Sequence, residues 1–517
     1  MKIRTLALWG ALGVVTSSAG ALAIPLPSST GNVPGEVHPE PKLAGDSAHF
    51  SAGQTLMLDG RLGHAAVAKT GRGETFLLAS ITGASAAGSS TPPMNLAIVI
   101  DRSGSMRGNR IANALTAAVG MVERMRDGDG VTVVSFDTES TVVVPPTLTT
   151  SSTRSSIEAA IRSIRLGGDT CISCGLEAGM RELDRTALGT ERINRMILLS
   201  DGATNHGIRD MGGLRAMAGH MRDRGASIST VGVDVDFDEK VMALVAAESN
   251  GRHYFVANPS GLPAIFSQEF DSLLASVAID GELAIDLAPG VEVDQVFDRT
   301  FRREGSRVIV PFGTFSANQE KTVLMKLRVP ANRDGLEPVA DMRLTYRDLL
   351  RKADGSCEGR LAVLVTDEAS APKDIDPFVA ARLERSRTAQ TLTDINVLFE
   401  QGRVHEARAR LRQQEDNLKK TASAASAVAA TRPTSAPPRA SRSLDDDFAA
   451  QRQAVAQAEA TFATPPAAKP RAASDPVGGA GGFAAASPQP ATPVVPESAE
   501  GKAARKSNQG RAFDFGL

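Results

Sequence analysis

The sequence predicts an α/β fold: an open, mostly parallel sheet flanked by helices, with an accessory antiparallel β unit, a C-terminal helical hairpin and a disordered tail. Three observations predict it. Leu96-Ala97-Ile98-Val99-Ile100 is apolar without interruption, as expected of a strand covered on both faces. Strand-like and helix-like patterns then alternate from 94 to 276, the order that builds a parallel sheet with helical crossovers. From 279 to 367 helical periodicity disappears, and short apolar runs are bounded by Gly, Pro, Asp and Asn.

Within 94–276 the first helix spans 111–126, with apolar residues at Ile111, Leu115, Ala118, Val119 and Val122. Strands at 130–136, 195–199, 226–233 and 253–256 alternate with helices at 155–164, 174–185, 211–224 and 239–249, and a last helix runs over 261–276. Segments within 54–90, such as Thr75 to Ile81, read as strands that join the later β unit, which makes the α/β section an insertion into a β-sandwich. Residues 377–420 read as two helices punctuated by Gln401-Gly402-Arg403. From 421 to 517 Ala, Pro, Ser and Thr dominate, and such a stretch buries too little surface to offset its chain entropy. A weak helical pattern survives at Asp445 to Phe462.

With 517 residues, two or three folded units are expected. A net charge of -2 provides no global field for nucleic acid or an anionic membrane, which points away from both as partners. The amino end has the layout of a secretory signal over 1–23: Lys2 and Arg4, an apolar run from Leu6 to Val15, and the exit Ala21-Leu22-Ala23. A Pro-, Gly- and Ser-rich lead follows over 24–53. No later stretch is long and apolar enough to span a bilayer, so the expectation is an exported protein, periplasmic or at the cell surface, with no membrane-spanning segment in its mature chain.

The chemistry is concentrated at strand ends. In a parallel sheet, ligands bind beyond the carboxyl ends of the strands. The first strand ends in Asp101-Arg102-Ser103-Gly104-Ser105, which places oxygen-bearing residues at every second position. Gly167-Gly168-Asp169-Thr170 precedes a helix, and Ser200-Asp201-Gly202 ends another apolar strand. Asp101, Ser103, Ser105, Thr170 and Asp201 thus supply two carboxylates and three hydroxyls at one sheet edge. Hard oxygens of this kind suit Mg²⁺ or Mn²⁺, with Ca²⁺ admissible, rather than Zn²⁺. Each residue also has a plain role, as a helix cap or a turn former; their coincidence at one edge favours the metal. Asp137, Asp169 and His206 lie near these loops and are read as surface residues.

The set Asp101-x-Ser103-x-Ser105, Thr170 and Asp201, in that order and at those strand ends, resembles the von Willebrand factor type A domain and its metal-ion-dependent adhesion site. The resemblance implies that Ser103, Ser105 and Thr170 coordinate the ion and that Asp101 and Asp201 bind it directly or through water. A partner protein would contribute an Asp or Glu, and the activity would be adhesion or scaffolding rather than catalysis. The wider order of segments is similar to bacterial exported A-domain proteins related to calcium-activated chloride channel proteins, which leaves an accessory role in a membrane transport complex as an alternative.

Cys171-Ile172-Ser173-Cys174 directly follows Thr170. It fits a thiol–disulfide redox motif at a helix start, or a short disulfide that stiffens the loop; an oxidising compartment and the position beside Thr170 favour the second. Cys357 is read as lying in the polar turn after Asp354-Gly355-Ser356, unpaired or paired between chains. No histidine spacing suggests a catalytic triad, Ser103 is not in a GxSxG elbow, and no glycine-rich stretch matches a phosphate loop.

Overall fold

A computed structural model describes residues 47–69, 73–85, 92–185, 192–235, 237–367, 374–431, 443–463 and 498–516. The expected signal at 1–23 and most of the expected lead lie outside the described residues. Four strands come first: β1 (His49–Gly53), β2 (Leu56–Leu62), β3 (Ala66–Ala68) and β4 (Glu74–Gly83). The α/β section follows with β5 (Met94–Asp101), α1 (Asn109–Arg124), β6 (Gly130–Phe136), β7 (Ser140–Leu148), α2 (Arg154–Arg162), α3 (Ile172–Arg185) and β8 (Ile193–Ser200). It continues with α4 (Met211–Asp223), β9 (Ala226–Val233), α5 (Glu239–Glu248), β10 (His253–Val256) and α6 (Leu262–Leu274). Then come β11 (Ser276–Leu287), β12 (Glu292–Phe297), β13 (Arg302–Glu304), β14 (Arg307–Ser316), β15 (Glu320–Arg328), β16 (Gly335–Asp348) and β17 (Ala353–Thr366). The chain closes with α7 (Pro377–Glu400), α8 (Val404–Thr431), α9 (Leu444–Ala463) and α10 (Ala499–Gly516).

The α/β section forms a six-stranded sheet in the order β10-β9-β8-β5-β6-β7. Every pairing in it is parallel except β6 with β7. β5 is buried along its whole length because both faces are covered. Leu96, Ile98 and Ile100 share a core with α1, α2 and α6, while Ala97 and Val99 face α3, α4 and α5. The chain moves from β5 outward to β6 and β7, then returns to lay β8 on the other side of β5. That reversal opens a crevice at the carboxyl edge, where Ile100 is in register with Leu199. β7 was not expected from the sequence. It is an edge strand, and the edge is where its Pro145 and Pro146 cost no ladder hydrogen bonds in a central position.

The remaining strands form two sheets, β1-β2-β4-β15-β12 and β13-β14-β11-β16-β17-β3. β4 pairs antiparallel with β15 from Glu74 opposite Arg328 to Thr82 opposite Glu320. The chain therefore leaves this β unit after Gly83 and re-enters it at Ser276, with the α/β section inserted between. Leu58, Leu77 and Ile81 of one sheet share a core with Ile285, Val310 and Val363 of the other, as alternating inward residues of a sandwich do.

The carboxyl-terminal region differs from the sequence expectation. The hairpin expected over 377–420 is part of a larger helical unit, and the tail expected to lack structure contributes the end of α8 and all of α10, while α9 forms where the weak helical pattern at Asp445 to Phe462 is read; residues 432–442 and 464–497 lie outside the described residues. A few well-spaced apolar residues are enough. Phe448, Val455 and Phe462 of α9 and Phe515 of α10 join Leu392 and Phe399 of α7 and Leu411 and Leu418 of α8 in one core. Composition averaged over the whole tail hides that spacing. α7 itself rests on the sandwich, where Val379 and Leu383 meet Leu78 and Leu324.

Candidate metal centre

Asp101 is the last residue of β5 and is fully buried. Its Oδ1 accepts the Ser103 amide at 2.7 Å and its Oδ2 accepts the Ser200 hydroxyl at 2.5 Å, which fixes the carboxylate at the strand end. The Ser103 and Ser105 hydroxyl oxygens lie 3.0 Å apart, and Ser105 donates to Asp201 Oδ1 at 2.7 Å. A Cβ placed on Gly202 would stand 3.2 Å from Thr170 Oγ1 and 3.5 Å from Ser105 Oγ, so these two hydroxyls flank the same backbone point. The loops are stitched together by main chain: Gly104 donates to Gly168 O at 3.0 Å and Gly167 to Arg102 O at 2.7 Å. All five residues singled out in the sequence meet at one edge of the sheet.

Burial makes the two carboxylates reluctant anions. It pushes the Asp101 carboxyl up to about 6, against the hydrogen bonds from Ser103 and Ser200, and the charge of Asp201 adds to the push. Asp201 is also raised by burial, against Ser105 and Arg110. A divalent cation offsets this kind of penalty. Among the described residues there is no group of three or more His, Cys, Asp and Glu side chains arranged for a metal. The donor set at this edge is two carboxylates with three hydroxyls, and that chemistry fits a hard ion of the Mg²⁺, Mn²⁺ or Ca²⁺ type.

Three supporting residues escaped the sequence reading. Asp137, taken there as a surface carboxylate, is only 7% exposed. Its carboxylate accepts the amides of Gly168 at 3.1 Å and Glu139 at 3.0 Å and pairs with Arg102 at 3.0 Å, so it holds the loop that carries Thr170. Its place one residue beyond β6, at the same carboxyl edge, was the available signal. Asn205 accepts the Thr170 amide at 2.8 Å and returns its own amide to Thr170 O at 3.0 Å. Arg110, in the first turn of α1, reaches both Asp201 and Asp234. Asp169 and His206 are exposed.

Cys171 and Cys174 are joined by a disulfide in the first turn of α3. Cys171 is fully buried, and its amide donates to Asp137 O at 2.8 Å. The loop after Asp201 crosses the bridge at Gly207, whose φ is +69°. A Cβ there would lie 2.5 Å from Cys171 Sγ, so only glycine combines that backbone with that approach. Cys357 is not in a turn. The turn of this hairpin is made by the residues between Asp348 and Ala353, and Cys357 sits within β17 opposite Leu344, buried and free. Burial pushes its thiol up to about 11, which leaves it an unreactive core group.

Residues 95–268 match the family model of the von Willebrand factor type A domain. The chain carries a von Willebrand factor type A domain. The matched segment begins inside β5 and ends inside α6, so it takes in all five site residues. Two uncharacterized bacterial proteins are similar to this chain: one of Synechocystis sp., 26% identical over half of this chain and 62% of its own length, and YfbK of Escherichia coli, 27% identical over half of this chain and 46% of its own. The chain thus spans less than two thirds of either relative. A solved von Willebrand factor type A protein from Catenulispora acidiphila superposes with a TM-score of 0.62 at 18% identity, over 72% of this chain and 89% of that one. VWA2, a paralog of ArnB from Sulfolobus acidocaldarius, gives 0.51 at 16% identity over 78% of this chain and 98% of that one. Those two likenesses establish the fold, including structure beyond the A domain. No helix among the described residues is long and apolar enough to cross a membrane.

Proposed function

We propose that the A domain binds a partner protein through a divalent cation, Mg²⁺ or Mn²⁺ by preference, held by Asp101, Ser103, Ser105, Thr170 and Asp201. The observation that carries this reading is the oxygen chain that runs from Asp201 through Ser105 to Ser103, with Thr170 across Gly202. When bound, the ion supplies an electrophilic centre that an Asp or Glu of the partner can complete. The chain's own groups do the rest. The hydroxyls contribute neutral oxygens and so leave the ion's charge largely uncancelled. The carboxylates of Asp101 and Asp201 orient those hydroxyls, and the Cys171–Cys174 bridge with the Asn205 contacts restrains Thr170. No catalytic step is assigned, and the protein acts by adhesion or scaffolding after export.

The test has two parts. Calorimetric titration of the full chain with Mg²⁺ and Mn²⁺ should show one site, weakened about a hundredfold or more by Asp101→Ala, as loss of a liganding carboxylate does. Capture from an envelope extract should then retain a partner with Mg²⁺ and release it with EDTA or with Asp101→Ala. Equal capture in all three conditions would remove the metal edge as the binding surface. Export is checked separately by fractionating cells and sequencing the mature amino terminus, which should begin near residue 24.

A further inference from the structure

A second concave region lies at the opposite edge of the sheet. A cavity of about 510 Å³ opens at the amino ends of β8 and β10, away from the carboxyl-edge loops. Its walls come from three parts of the molecule. The A domain contributes Arg195 and Arg252, the sandwich Arg299 and Lys321, and the helical unit Arg385 of α7 with Lys506 and Arg511 of α10. Against these seven cationic side chains, the lining holds only the carboxylates of Glu320 and Asp514.

Carboxylates behind the wall offset some of this charge. Glu269, held by Ser229 and Tyr254, lies 3.6 Å from Arg195; Asp447 lies 3.6 Å from Arg385; and Lys506 contacts Glu239. Lys321 is different. It is 8% exposed, and its ammonium donates to a carbonyl, Phe312 O, at 2.7 Å and lies 5.1 Å from the Phe315 ring. The charged groups that act on it are Arg299, Arg195 and Arg252, all cations, and with burial they drive its pKa well below the ordinary lysine value. Arg511 hydrogen-bonds the amide oxygen of Asn508. Gathering buried like charges around one space is unfavourable unless a counter-charge enters it.

We propose that this cavity binds a small multivalent oxyanion, of phosphate or carboxylate type, recognised jointly by the guanidinium forks and the Lys321 ammonium. Guanidinium groups match both oxyanions in bidentate geometry, and the volume is that of a small-molecule site. Because the walls belong to all three parts of the molecule, the bound anion would clamp the A domain to the sandwich and to α10. The site shares no residue with the metal edge, so either can fail without the other.

The experiment uses the full chain with inorganic pyrophosphate and with citrate, at ionic strength matched by NaCl, read by calorimetry and by thermal unfolding. Saturable binding of at least one anion is expected, with a rise in Tm that NaCl does not reproduce. Pyrophosphate alone would identify a phosphate ligand, and citrate alone a polycarboxylate. Lys321→Met and Arg511→Gln should each weaken binding by about tenfold or more, while Asp101→Ala leaves it unchanged. Arg511 is half-buried on the last helix, so its variant keeps the test open if the Lys321 variant folds poorly. No saturable binding of either anion, or binding by folded variants equal to that of the parent, would overturn the proposal.

Discussion

Arg110 Nη1 stands 2.8 Å from Asp201 Oδ2, while the other oxygen of the same carboxylate receives the Ser105 hydroxyl. Asp201 therefore has one oxygen tied to the loop of Ser103 and Ser105 and one to the first turn of α1. The same guanidinium also reaches Asp234, at the end of β9, and the Ser105 carbonyl. Arg110 is the cation that links three strand-end loops of the A domain.

Arg110→Met should therefore destabilise the fold by about 2 kcal/mol, because it leaves the fully buried Asp201 carboxylate short of a partner. Urea unfolding without added divalent ions measures this. An unchanged midpoint would show that Asp201 does not depend on the pair.

Asp137→Ala should lower divalent-ion affinity by about tenfold while leaving secondary structure intact, since Asp137 touches the loop of Thr170 rather than the hydroxyls themselves. Mn²⁺ titration with a circular-dichroism control decides it. Parental affinity in the folded variant would make the carboxylate a loop feature without influence on the site.

Reducing the Cys171–Cys174 bridge should cost about 2 kcal/mol or less, because the loop it closes is short, with a sequence separation of 3. The fold should persist in dithiothreitol with a lower Tm, and a Cys171→Ser, Cys174→Ser double variant should show no response to reductant. Complete unfolding on reduction would contradict the sandwich and helical cores as independent sources of stability.

His253 is buried beside Thr230 and Phe237, and burial holds its imidazole down at about 4 against an ordinary 6.5. The unfolded chain takes up this proton as pH falls below 6.5, whereas the folded chain resists until about 4. Stability is therefore present above 6.5 and is lost as pH falls through that window, by up to about 3 kcal/mol from this group. His253→Gln should flatten the curve between pH 6.5 and 4. Parallel curves for parent and variant would reject the assignment.

Phe462 of α9 stacks on Phe399 of α7 with ring centroids 4.5 Å apart, and both are buried. Phe462→Ala should cost about 3 kcal/mol and release amide protection along α9 before the sandwich opens. Hydrogen exchange that shows α9 already unprotected in the parent would mean that this helix does not dock.

The parts of the fold that could be read from sequence are those whose signal is local. The unbroken apolar run of β5 and the periodic Ile111, Ala118 and Val122 of α1 announce their burial within a few residues. β7 was missed because Pro145 and Pro146 argue against a strand until its edge position is known. The helical pattern at Asp445 to Phe462 announced α9, but its docking, and α10 altogether, were missed because Phe448, Val455, Phe462 and Phe515 acquire meaning only against the core of α7 and α8. Cys357 was misplaced by a hairpin turn that lies slightly earlier in the chain.

At the carboxyl edge of the sheet, the sequence by itself determined the type and order of the oxygen-bearing residues, because Asp101, Ser103 and Ser105 sit on one short loop and Thr170 and Asp201 at two more strand or helix ends. Tertiary structure decided the rest. The parallel pairing of β5 with β8 brings Asp201 to Ser105 across 96 residues of chain, and only the folded loops bring Asp137 and Arg110 to their partners. Backbone preference and hydrophobic period act over a few residues, whereas strand neighbours and buried ion pairs are selected by the free energy of the whole packed arrangement.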